Sequence, residues 1–377
     1  MERHHDGGKN PSSHLFRGSG RVKFFVGALL FIAISIAIFW YQFNRIETGD
    51  KLPSLGQLQW GYLVLILLFM PVETLLGGTR MWMICRVLQP GISVWACVKA
   101  DLANMGVAIL TPSQTGGGPG QIYILNRAGA KIGTALTISL LSFVGTMVAL
   151  FGIGIYSLFF TGIAKAGSLF IAAVFMLTFI AALIIGSALW PGFFRIIIAS
   201  SSRVFWRLGG RSYPLEEWWP AGEPKTSPPY DRMGRLAVRL TDIVYGYRND
   251  LARFLSHGKL VFFCTCFLSL GFFISRFILA FLCLRFLGIQ ESSLGEVIER
   301  QMALSFLTYL APTPGSAGVA EGASLSIMAE IVSPGFAPYY NLLWRFSTVY
   351  IGAMVGLLLI LSAVVQDMKK IYGRQQK

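Results

Sequence analysis

A chain of 377 residues that is 54% hydrophobic and only 13% charged falls outside the range of soluble globular domains, which carry about 25% charged residues. A net charge of +14 would suit a nucleic-acid binder, but the Lys and Arg flank long apolar runs and gather on one predicted side. That pattern excludes a nucleic-acid partner and points to a membrane protein. The five Cys, Cys85, Cys97, Cys264, Cys266 and Cys283, stand in or beside apolar runs without zinc or redox spacing, and read as packing residues.

Residues 1–20 form a polar tail, expected to be cytoplasmic. The apolar run 22–43 is too long for a secretory leader and lacks a small-residue cleavage site, so it predicts a retained span of about 20 residues. A second run, 58–78, returns to the starting side and is closed by Arg80 and Arg86. The stretch 92–111 ends at TPSQTGGGPGQ (Thr111 to Gln121), and only a short apolar piece separates it from Arg127 and Lys131. A full span there would strand both cations. The segment 92–127 therefore predicts a re-entrant hairpin whose non-helical turn is buried in protein or lines a cavity, because lipid cannot satisfy its backbone.

Two further spans follow, at 132–160 and 168–190, and complete a first membrane half over 21–190. Residues 191–259 read as a polar, basic cytoplasmic loop. The second half, 260–377, opens with a span that carries Arg276 inside it. A second hairpin follows at 294–331, broken at APTPGSAGVAEG (Ala311 to Gly322), and the last span runs from Tyr339 to about Val365. With both termini and the loop inside, about 25 of the 32 Lys and Arg are cytoplasmic. The expectation is an all-α polytopic protein of a cytoplasmic membrane, with about six full spans and two re-entrant broken-helix hairpins.

The two halves share a plan. Helix, hairpin, helix over 58–160 recurs with opposite sense over 260–365, and Pro112 with Gly116 to Pro119 corresponds in kind to Pro312, Pro314, Gly315 and Gly318. Gly and Pro also permit simple kinks and close packing. Matched breaks in an inverted repeat, however, mark a transport site near the membrane middle.

These residues resemble the lysylphosphatidylglycerol synthase transmembrane-region family, a flippase-like membrane domain found alone or fused to an aminoacyltransferase. The resemblance covers residues 20–370. It rests on Arg80-Met81-Trp82, on the Pro112 to Gly118 break with a short helix ending near Arg127, on the PTPGxxGxxE run from Pro312 to Glu321, and on Arg345. The first break departs from the family pattern at GGPGQIYIL. The resemblance implies translocation of a lipid, with aminoacylated phosphatidylglycerol as the best known cargo. Synthesis of that lipid is not implied, so a separate lipid-modifying enzyme is a possible partner.

The first helix start, with Gly118 as N-cap and Pro119 as first residue, would offer free amides and a positive dipole end to a phosphate, together with Gly117, Gln121, Tyr123 and Arg127. Arg127 reads equally as a positive-inside anchor. In the second break Thr313, Gly315, Ser316 and Gly318 supply the equivalent turn, with Ser316 as the expected N-cap. Glu321 needs a partner in an apolar setting, with Arg276, Arg345, a cationic lipid head or a transported proton as alternatives. Glu73, Arg80, Arg276 and Arg345 are candidates for ion pairing or gating.

An enzyme is the competing class, and the residues argue against it. The four His, His4, His5, His14 and His257, lie in the tail and the loop, so no buried His base is expected. No Asp-rich metal motif and no P-loop are present. No cofactor or metal is expected. A membrane scaffold or accessory subunit of an envelope-lipid enzyme, or a membrane-embedded lipid transferase, are the alternatives to a lipid carrier.

Overall fold

The computed structural model describes residues 55–111, 116–157, 232–309 and 311–375, with isolated helical positions between 33 and 44. The tail 1–20, most of the expected span 22–43, the span 168–190, the loop up to 231, and Pro112 to Thr115 of the first break lie outside the described residues.

Among the described residues all regular structure is helical. The helices are α1 (Trp60–Leu88), α2 (Val94–Ala108), α3 (Gly117–Arg127), α4 (Ile132–Tyr156), α5 (Arg232–His257), α6 (Lys259–Phe286), α7 (Leu294–Tyr309), α8 (Val319–Ile327), α9 (Ala337–Arg345) and α10 (Ile351–Gln375). A π-helical turn, Phe346–Tyr350, joins α9 to α10. Among the described residues four stretches are long and apolar enough to cross a membrane: α1, α4, α6 and the run Ala337–Lys370. At 1.5 Å per residue each exceeds the roughly 20 residues that a 30 Å hydrocarbon layer requires. The protein is an all-α polytopic membrane protein.

α1 and α6 lie side by side and antiparallel. The Gln59 amide at the start of α1 donates to the Phe286 carbonyl at the end of α6 (2.9 Å), and the Trp60 and Phe286 rings meet edge to face at 5.8 Å. Two apolar clusters form at opposite ends of this pair. One gathers Met81, Ile84 and Cys85 of α1 with α2, α3, α4 and α5. The other gathers Ile66 of α1 and Leu279 to Phe286 of α6 with α7, α8 and α9. Between them Phe272, Phe273 and Phe277 of α6 pack on Leu150 and Phe306.

Each expected hairpin consists of a longer helix, a break and a shorter helix. α2 starts where Ser93 caps it, its hydroxyl accepting the Ala96 amide at 3.2 Å. Small residues let α2 approach its neighbours closely: a Cβ on Gly77 of α1 would stand 2.1 Å from Asp101 Oδ2, and one on Gly356 of α10 would stand 1.8 Å from the Leu102 carbonyl.

Two expectations need correction. The segment read as one loop over 191–259 ends in the 26-residue helix α5, which buries Tyr247, Leu251 and Phe254 at helical spacing against α4. The last span is not one continuous α-helix, because the π turn interrupts it.

Candidate functional site

The first break is anchored by Thr111. Its hydroxyl accepts the Gly116 amide at 2.8 Å and donates to the Ala108 carbonyl at 3.1 Å. This contact seats the start of α3 earlier than expected: Gly116 is the N-cap and Gly117 the first helical residue, so Gly118 and Pro119 lie inside the first turn. Gly117 touches α2, where a Cβ would come within 1.7 Å of Asn104 Oδ1.

The polar residues of α3 are committed to neighbouring helices. Gln121 Oε1 accepts from Ser139 Oγ of α4 at 2.5 Å. Tyr123 donates to Asp367 Oδ2 at 2.7 Å, and Arg127 lies 3.2 Å from Asp367 Oδ1 and donates to Gln366 at 3.1 Å. Arg127 is partly exposed at the end of α10, away from the buried polar groups described next.

The second break carries three residues of positive φ, Gly315 (56°), Ser316 (60°) and Gly318 (87°). Gly tolerates this conformation, whereas Ser must be held in it. The hold is the Ser316 hydroxyl, which donates to the Thr308 carbonyl of α7 at 2.5 Å. Ser316 is therefore not the expected N-cap. Gly318 takes that position, and Glu321 at the third helical residue accepts the Gly318 amide through Oε2 at 2.7 Å.

The other oxygen of Glu321 faces Arg345 Nε at 3.1 Å, both side chains being buried. The approach lies off the N–H direction, since neither atom has an aligned hydrogen bond; the pair is a Coulombic contact. Arg345 is oriented instead by its Nη2, which donates to the Gly315 carbonyl. Glu321 thus pairs with Arg345, one of the alternatives the sequence left open. Thr313 Oγ1 is buried without a hydrogen-bond partner among the described residues.

Arg276 pairs with Glu73. Its Nε donates to Glu73 Oε1 at 2.8 Å and its Nη2 to the Thr348 carbonyl at 2.7 Å. Arg80 lies 3.6 Å from Asp101 Oδ1 and donates to Thr146 Oγ1 at 2.6 Å and Ser269 Oγ at 3.2 Å. Both guanidiniums lie over the Phe272 ring, at 5.2 Å for Arg80 and 5.1 Å for Arg276. Asp101 was not singled out as a site residue; a lone carboxylate inside an apolar run was the available signal.

Between α2, α7, the second break and the π turn lies a cavity of about 70 Å³. Arg276 and Arg345 line it with hydroxyls of Ser305, Thr308, Tyr309 and Thr348, and no carboxylate is among its lining residues. Of the predicted residues, Gly315, Ser316, Arg276 and Arg345 line the cavity; Gly117, Gly118, Gln121, Tyr123 and Arg127 do not. Among the described residues no three His, Cys, Asp or Glu side chains gather as a metal site.

The model of the family described as "Lysylphosphatidylglycerol synthase TM region" matches residues 28–356. The chain belongs to this family. A UPF0104 membrane protein of Archaeoglobus fulgidus is 28% identical over 115 residues, which are 30% of this chain. That alignment spans 34% of the archaeal protein, about a third of its length. No solved structure matches. In this family member the second break and its arginine, both quoted for the resemblance, are the parts that meet at the cavity.

Proposed function

We propose that this protein moves an anionic phospholipid, or an amphiphile with a similar phosphate head, between the leaflets of a cytoplasmic membrane, with both termini on the cytoplasmic side. The observation that carries the reading is the surface of the central cavity: two arginines and several hydroxyls face it, while the carboxylates that balance them, Glu73 and Glu321, are not among its lining residues. A guanidinium has five donors in a planar fork, so it binds a phosphate oxygen pair while keeping part of its carboxylate contact. The guanidinium donors of Arg276 and Arg345 that are not spent on Glu73, the Thr348 carbonyl and the Gly315 carbonyl offset part of the cost of taking the head group out of water. The Ser305 and Tyr309 hydroxyls suit the remaining ester and polyol oxygens, since those of Thr308 and Thr348 already donate to the Ser305 and Trp344 carbonyls.

At about 70 Å³ the cavity holds water and not a head group, since a liquid water occupies about 30 Å³. Transport therefore requires the second break and α2 to part. The family, named for an aminoacylated phospholipid synthase, supports a lipid cargo and a separate enzyme that supplies it. The arrangement of α1 and α6, antiparallel with one broken hairpin at each end, supports the inverted repeat and alternating exposure of one site.

The test is reconstitution of the purified protein in liposomes carrying fluorescent or aminoacylated phosphatidylglycerol, read by leaflet accessibility. Transfer that is lost in Arg345→Met and in Glu321→Gln is the expected result. Transfer of no anionic lipid by the parent protein, or undiminished transfer by both variants, would overturn the reading.

A further inference from the structure

A second space lies on the outer side of the same ion pair. Between α1, α2 and the start of α10 runs a groove of about 360 Å³, walled mainly by Leu75, Trp95, Leu102, Ile351 and Val355. Glu73 and Thr348 reach it as well. Met105 and Thr348 line both this groove and the central cavity. Glu73, which lines the groove, and Arg276, which lines the cavity, are joined at 2.8 Å, and Arg276 donates to the Thr348 carbonyl at 2.7 Å.

We infer that the groove seats an acyl chain of an anionic lipid and that the Glu73–Arg276 pair is a partition through which the head group passes to the cavity; this rests on the lipid-carrier reading. The occupant follows from position and charge. Trp95, Leu75 and Val355 are 63%, 43% and 37% exposed, and Glu73 lies in the middle of a span whose surroundings are hydrocarbon. An acyl chain is the solvent there. The cation beyond the partition selects a negative head, while Glu73 repels it until the pair opens.

Both supports of the partition stand at interrupted helix turns. Pro71, two residues before Glu73, lacks the amide that would bond the Leu67 carbonyl. Thr348 sits in the π turn, where the Ile351 amide bonds back to Phe346. Toward the far end of α10 the groove closes, because Gly356 lies against Leu102.

The experiment places the full chain in nanodiscs of zwitterionic lipid doped with an anionic lipid that carries a diazirine on its acyl chain, and maps adducts by mass spectrometry. Adducts should concentrate on Leu102 to Met105 and Ile351 to Val355. Val355→Trp, which fills the groove without touching the ion pair, should reduce them about tenfold, and Glu73→Gln should raise adducts on Ser305 to Tyr309 by about tenfold. Adducts spread evenly over α1, α4 and α6, no response to Val355→Trp, or unchanged cavity adducts in Glu73→Gln would overturn the proposal. The readout is occupancy at rest. Groove adducts without any leaflet transfer would sink the carrier reading alone, and transfer without groove adducts would sink the groove alone.

Discussion

Glu73, Asp101 and Glu321 are buried carboxylates, and each faces an arginine from a different element: Arg276, Arg80 and Arg345. A charge left alone in such a setting costs more than the pair contributes, so removing one partner destabilises by about 3–5 kcal/mol. Glu321→Gln should lower the thermal unfolding midpoint in detergent, and the double variant Glu321→Gln/Arg345→Met should recover part of that loss because no unpaired guanidinium remains. A midpoint unchanged by Glu321→Gln would show that the pair contributes nothing to stability. Steric fit makes an independent demand at Gly77, where a Cβ would press on the Asp101 carboxylate. Gly77→Ala should cost about 1–3 kcal/mol, the range for overpacking a close contact, measured by the same unfolding curve.

At the scale of elements, the π turn interrupts the last span and holds the Thr348 carbonyl against Arg276. A π turn is an α-helix with one residue inserted. Deleting Val349 should restore an α turn, leave Gly356 packed on Leu102, and take the Thr348 carbonyl away from Arg276. The expected outcome is a protein at least as stable as the parent that transfers lipid poorly; full transfer by the deletion variant would remove the turn from the mechanism. This turn had no sequence signature, because an inserted residue changes neither hydropathy nor composition. The arginines were legible for the opposite reason: a cation inside an apolar run must find a partner, whatever the fold. Which acid it finds depends on how α1, α6, α8 and α9 meet, and no spacing encodes that. The helix α5 was readable in principle from Tyr247, Leu251 and Phe254, but the basic composition around them masked the periodicity. The start of α3 was misplaced because the decisive contact comes from Thr111, on the far side of the break.

For the whole molecule, the charge asymmetry along the chain and the antiparallel α1–α6 pair make one statement about orientation. The α3–α4 connection and the α6–α7 connection should face opposite compartments. Ala128→Cys and Glu291→Cys place a thiol at exposed positions of each. In intact cells an impermeant maleimide should label the second and spare the first until the membrane is opened. Equal labelling of both would overturn the inverted arrangement.

The close seat of Gly356 against Leu102 also governs how the protein is made. α2 is 15 residues long, too short to cross the bilayer, and carries Asp101 and Asn104. Its neighbour α10 is synthesised roughly 250 residues later, which at about 5–20 residues per second leaves α2 without that wall for about 12–50 s. During this interval the nascent first half must wait, sheltered by the insertion machinery or resting at the membrane surface. Substitutions along α2 are therefore expected to reduce yield during biogenesis before they impair the finished protein.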